Sequence, residues 1–248
     1  MKVSIIVPVL NSHEIVRRQI LHFKRMNLPD DVEIIYLDDG SKPPLSFPDH
    51  GLKNFIIWPT NDFREWTWPV ARNKGAHLAK GEYLLMTDID YIIPLETINV
   101  VREFTGDKMR FKREFGILDE DGNFSQDIPI LLKYGLSPER IPTRGVQLAP
   151  HSNNFAMRKE LFWEIGGYTE ERIGWAYPQR EDALFKTAWI RYIAKGMAKD
   201  SNYRPLLYMF PNGQYCGDVD YNPFGLFHSL SRKSERNEIF KRHNSQSV

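Results

Sequence analysis

"EYLLMTDIDYIIP", residues 82–94, decides how this chain is read. The run over 82–88 has the length of a buried strand, and it leads into Asp88 and Asp90, which are separated by one residue. Strands buried on both faces of a parallel sheet carry near-continuous apolar runs. Ligands of such sheets bind beyond the carboxyl ends of the strands. Side chains two apart on an extended backbone share a face. If the extended conformation continues past Thr87, both carboxylates converge on one hard cation, which prefers oxygen ligands. In isolation so short a pair reads more often as a solvated loop with two capping aspartates.

The surroundings favour the sheet. Three further apolar, β-branched runs precede this one: "KVSIIVPV" (2–9), "VEIIYLDD" (32–39) and "NFIIWP" (54–59). Between them lie helical patterns at 12–27, with Ser12 as the expected N-cap, and at 69–80, opened by Pro69 and stopped at Gly81. Another helix is expected over 95–104. Strands alternating with helices predict an α/β fold, a mostly parallel central sheet with helices on both faces. Region 105–150 breaks the rhythm. It holds a hairpin pattern at 115–126 turning at Asp121-Gly122, then several prolines, and reads as an insertion. Helices follow over 158–168 and 181–196, then a strand over 203–210 and a basic tail from Ser229.

Composition narrows the function classes. Lys and Arg number 33 against 32 Asp and Glu, so the basic excess of a general nucleic-acid binder is missing. Cys216 is the single cysteine, which rules out an internal disulfide and fits a reducing compartment. The apolar start "VSIIVPVL" is too short to span a bilayer, so a cytoplasmic location is expected. No G-x-G-x-x-G follows the first strand, which argues against a dinucleotide oxidoreductase.

Four segments, in order, resemble the family-2 glycosyltransferases of the GT-A fold. "VSIIVPVLN" (3–11) is similar to the opening strand and nucleotide loop. "EIIYLDDGS" (33–41) is similar to the second strand and its base-contacting acid. "ARNKGAHLAKGEYLLMTDIDYIIP" (71–94) is similar to the helix leading into the D-x-D strand. "NNFAMRKELFWEIGGYTEE" (153–171), followed by "RED" (180–182), is similar to the acceptor-side segment. The pattern covers roughly 2–104 and 151–196.

The resemblance implies an inverting, metal-dependent transfer of a sugar from a nucleotide-sugar, expected to be a UDP-sugar, to an acceptor hydroxyl. It implies one domain over 1–248: a nucleotide-sugar half at 1–104, the insertion at 105–150, an acceptor half at 151–228 and the tail at 229–248. Asp39 would receive hydrogen bonds from the base, above a floor of Pro8, Val9 and Asn11. Arg72 would contact the base or a phosphate. Asp88 would bind the ribose and help hold Mn²⁺ or Mg²⁺, which Asp90 would ligate with His228 as a further ligand. Asp182 would act as base, with Glu181 orienting the acceptor and Trp175 stacking on it. Apart from the resemblance, Arg232 and Lys233 read first as part of a solvated tail and second as a lid over the diphosphate. Glu181 and Asp182 also suit an ordinary acidic first turn, and His228 also reads as a surface histidine.

A divalent cation suits this chemistry because the departing diphosphate gains negative charge. The acceptor is expected to be a glycan, glycolipid or protein, and the basic tail could touch an anionic membrane surface. Departures from the family pattern are Leu10 in place of an aromatic, Asn11-Ser12 in place of Asn-Glu, and five residues between Trp175 and Glu181. Two other readings are a sugar nucleotidyltransferase, which would need a glycine-rich loop after the first strand, and a nucleotide- or sugar-binding module without catalysis.

Overall fold

The computed structural model describes residues 1–64, 67–136, 150–170 and 181–211. Its centre is a six-stranded sheet in the order β3-β2-β1-β4-β10-β6. β1 (Val3–Val9), β2 (Val32–Asp38), β3 (Phe55–Pro59) and β4 (Tyr83–Met86) are parallel. β10 (Phe155–Arg158) runs antiparallel to β4 and to β6 (Lys108–Arg110). This is the mostly parallel sheet that the alternation of elements predicts.

Every residue of β1, β2 and β4 is buried, and their side chains alternate between two cores. Val3, Ile5, Val7, Ile34, Tyr36 and Leu85 face α1 (His13–Met26) and α3 (Leu95–Glu103), which contribute Ile15, Val16, Phe23, Ile98 and Val101. Ile6, Ile35, Leu37, Leu84 and Met86 face the other way. There they meet α2 (Trp68–Leu78), α5 (Lys159–Glu164) and α6 (Glu181–Ala194) through Ala71, Ala76, Phe162, Phe185 and Trp189. Gly75 lets α2 press onto the sheet, since a Cβ there would lie 2.4 Å from Cγ2 of Ile6.

Region 105–150 contains more strand than its sequence suggests. β6 extends the central sheet, a pairing that no local periodicity signals. β7 (Lys112–Phe115) joins β11 (Leu206–Met209) and β5 (Tyr91–Ile92) in a second sheet. The expected hairpin is present as β8 (Ile117–Leu118) and β9 (Phe124–Ser125), and α4 (Ile128–Lys133) follows it. Two local expectations are corrected. Ser12 makes no side-chain cap bond, because its hydroxyl donates to the Leu10 carbonyl instead. The helix expected to open at Pro69 begins one residue earlier, with Trp68 as the first residue of α2. Among the described residues no helix is long and apolar enough to cross a membrane.

Candidate active site

The carboxyl ends of β1, β2 and β4 lie together because the three strands are parallel and adjacent. Pro8 and Val9 close β1, and both are buried. Asn11 follows at φ 53°, a left-handed conformation that asparagine tolerates better than most residues. Its backbone N–H donates to Ser41 Oγ (2.9 Å), and its Oδ1 accepts from the Lys42 N–H (2.8 Å). The two loops are thereby tied together.

Asp38 and Asp39 divide their tasks. Asp38 accepts the backbone N–H groups of Ser41 and Leu45, each at 2.9 Å, and shapes its own loop. Asp39 is 1% exposed and accepts from Thr67 Oγ1 at 2.7 Å and Thr60 Oγ1 at 3.1 Å. The sequence reading missed both threonines. Thr67 sits where a helix N-cap belongs, directly before α2, but makes no capping bond and turns to Asp39. A hydroxyl just ahead of the "WPVARN" helix was the available signal.

α2 carries Arg72 inward. The residue is 2% exposed, and its Nη2 donates to Asp88 Oδ1. Its Nη1 lies 4.0 Å from Glu181 Oε1, and its guanidinium carbon is 5.4 Å from the centre of the Tyr168 ring. Nε and Nη1 are buried without a hydrogen-bond partner. Each such group costs about 1–3 kcal/mol until something accepts from it. Burial opposes the charge of Arg72, but Asp88 and Glu181 more than offset that and hold the guanidinium ionised. Glu181 is the weaker-held partner: burial pushes its carboxyl upward, and Arg72 cancels only part of the effect.

The aspartate pair differs from the strand-face expectation. β4 ends at Met86, and the Tyr91 N–H bonds to the Asp88 carbonyl at 3.3 Å, closing a turn over 88–91. The extended backbone therefore does not continue, and Asp88 and Asp90 are not successive positions on one strand face. Asp88 Oδ2 faces His151 Nδ1 at 3.5 Å. His151 was also missed, and no local motif marks it. It reaches Asp88 because β10 is antiparallel to β4, so residues that precede β10 lie beside residues that follow β4. Asn154 Oδ1 meets the Thr87 hydroxyl at 3.2 Å by the same register.

Asp182 is partly exposed in the first turn of α6, and its Oδ1 accepts the Ala183 N–H at 2.7 Å. A clasp ties α2 to the segment that follows α5. Asn73 Oδ1 accepts from the Tyr168 N–H (2.9 Å), while its Nδ2 donates to the Tyr168 carbonyl (2.8 Å) and to Glu170 (2.6 Å). The Tyr168 ring stacks on Phe185 of α6, with centroids 4.6 Å apart. Arg72, Asp88 and Glu181 are thus brought together, and Asp39 is linked to them through α2. His228, Trp175, Arg232 and Lys233 lie outside the described residues, as does Trp66. Among the described residues, no three His, Cys, Asp or Glu side chains form a group able to hold a metal.

Residues 4–166 match glycosyl transferase family 2. The chain belongs to that family. Family 2 membership and the sheet described above make this a glycosyltransferase domain of the GT-A fold. No curated protein matches the chain. Among solved structures, S. aureus TarS superposes with a TM-score of 0.52 at 17% identity, covering 99% of this chain and 43% of that one. S. aureus TarS 1–349 in complex with UDP gives a TM-score of 0.50 at 17% identity, covering 99% and 71%. At such identities the likeness speaks for the fold, and this chain spans less than half the length of TarS.

Proposed function

We propose that this family-2 domain transfers a sugar from a UDP-sugar to an acceptor hydroxyl with inversion at the anomeric carbon. The observation that carries this reading is the Arg72 cluster. One buried guanidinium joins Asp88, at the end of a nucleotide-side strand, to Glu181, at the start of the helix that bears Asp182. UDP is taken as the first donor to test because it is the nucleotide bound to TarS 1–349.

In this reading Asp39 receives the base, and the loops built by Pro8, Val9 and Asn11 form the floor beneath it. The unpaired Nε–H of Arg72 suits an acceptor oxygen of a diphosphate. Asp88 and Asp90 offer carboxylate oxygens, a donor set that fits Mg²⁺ or Mn²⁺, and His228 would add an imidazole suited to Mn²⁺. When bound, the cation would neutralise charge growing on the leaving diphosphate. Asp182 takes the proton of the acceptor hydroxyl as its oxygen bonds to the anomeric carbon. The bond from that carbon to the diphosphate oxygen breaks, and the nucleoside diphosphate leaves. Glu181 orients the acceptor, and Trp175 stacks on its sugar face. The acceptor class is a glycan, glycolipid or protein, with the basic tail available to an anionic membrane.

The test is turnover. Purified protein is incubated with each of a panel of UDP-sugars and Mn²⁺, with and without candidate acceptors, and released UDP is measured. Acceptor-stimulated UDP release is expected with one of them. UDP binding without release from any donor or acceptor would favour the non-catalytic module.

A further inference from the structure

The guanidinium of Arg72 stands between two carboxylates that the reading above gives to different substrates. It is bonded to Asp88, on the donor side. It is 4.0 Å from Glu181, on the acceptor side, which is beyond hydrogen-bond reach. The Nη1 that points this way is buried and has no partner. The Tyr168 ring beneath the guanidinium is itself fixed, by Asn73 at its backbone, by Asn153 at its hydroxyl and by Phe185 at its face. The side chain is therefore confined to a small pivot between two anions, and only one of them is fully engaged.

We propose that Arg72 is a relay that couples the two substrate sites. Binding of a nucleoside diphosphate with its divalent cation at Asp88 frees Arg72 from that carboxylate, and Arg72 closes onto Glu181. The inference rests on the donor reading of Asp88. Its physical basis is competition: a cation and a guanidinium repel each other and contend for the same carboxylate oxygens. Among the described residues the next anion is Glu181, and closing from 4.0 Å to about 3 Å would satisfy the orphaned Nη1. The donor-loaded state is then the one in which the acceptor-side carboxylate is fixed. Because coupling between two sites is reciprocal, removing the Glu181 charge must weaken donor binding, although Glu181 contacts no part of the donor.

The experiment is a double-mutant cycle read by titration calorimetry of UDP in the presence of Mn²⁺. It compares wild type, Glu181→Gln, Arg72→Met and the double variant. The relay predicts that Glu181→Gln weakens UDP binding about fivefold or more while Arg72 is present, and leaves it unchanged in the Arg72→Met background. An equal effect in both backgrounds, or none in either, overturns the relay while wild-type UDP binding leaves the donor reading standing. Failure of the wild type to bind any nucleoside diphosphate with Mn²⁺ overturns the donor reading, and the relay with it. If Arg72→Met gives no cooperative melt, Arg72→Lys takes its place, because one ammonium cannot span both carboxylates.

Discussion

The loops at the ends of β1 and β2 and the helix α6 are held by different physics. At the ends of β1 and β2, directional hydrogen bonds fix each side chain. Asp38 accepts two backbone N–H groups, Asp39 accepts two threonine hydroxyls, and Asn11 bridges to the neighbouring loop. α6 is docked mainly by aromatic faces: Phe185 stacks on Tyr168 and Phe155, and Trp189 packs beside the Lys108 ammonium. Among the described residues, its ion pair to Arg72 of α2 is 4.0 Å long. Hydrogen bonds fix distance and angle, whereas stacked faces permit sliding. In the proposed function this division means a nucleotide pocket built in advance at the ends of β1 and β2, and an α6 that retains freedom to adjust.

The largest effect expected from this division is on chemistry alone. Asp182→Asn should keep UDP binding and lower transfer by about 10²–10⁴-fold, the range for a lost general base. Normal turnover by this variant would remove Asp182 from the role of base. Asp90→Ala should act on the other half, weakening Mn²⁺-dependent UDP binding by roughly 100-fold if it removes a direct ligand. Unchanged binding of UDP and Mn²⁺ would show that the turn at 88–91 holds no cation.

Thr67→Val tests whether the donor pocket is prebuilt. It leaves Asp39 buried with its best partner gone, and should cost about 1–3 kcal/mol of stability and weaken UDP binding, with turnover of bound donor little changed. Denaturant midpoints and UDP titrations check it. A variant as stable as wild type would mean that Asp39 is not pre-positioned by its hydroxyl partners.

The smallest effect concerns the anchor of α6. Lys108 is 4% exposed among Phe155, Phe185 and Trp189. Burial pushes its ammonium down to about 7, with Asp200 opposing and Arg110 assisting. Between that value and the ordinary lysine value the unfolded chain binds more protons than the folded one, so stability rises with pH. Relative to Lys108→Met, the wild type should gain about 2 kcal/mol from pH 7 to pH 9. Parallel pH profiles of the two proteins in urea would contradict a buried, titrating Lys108.

Much of the central sheet was legible from residues 2–94, because strands buried on both faces write unbroken apolar runs and the helices between them carry their own start and stop signals. Asp39, Arg72, Asp88 and Glu181 were legible as a set only through the order of four short segments. The remainder depends on contacts distant in sequence. Thr60, Thr67 and Asn73 act through partners 21, 28 and 95 residues away. His151 reaches Asp88 only through the antiparallel register of β10. β6 is three residues long and has no pattern of its own; it is a strand because β10 offers it an edge. The end of β4 was misjudged because the apolar run continues through Ile89 and Tyr91 while the backbone turns at Asp88.

The most direct measurement is the thermal midpoint of the purified protein with UDP, GDP and dTDP, each with and without Mn²⁺. A ligand that binds only the folded state raises the midpoint by mass action. The account predicts a rise with UDP that requires Mn²⁺. No rise with any nucleoside diphosphate, with or without the cation, would contradict it.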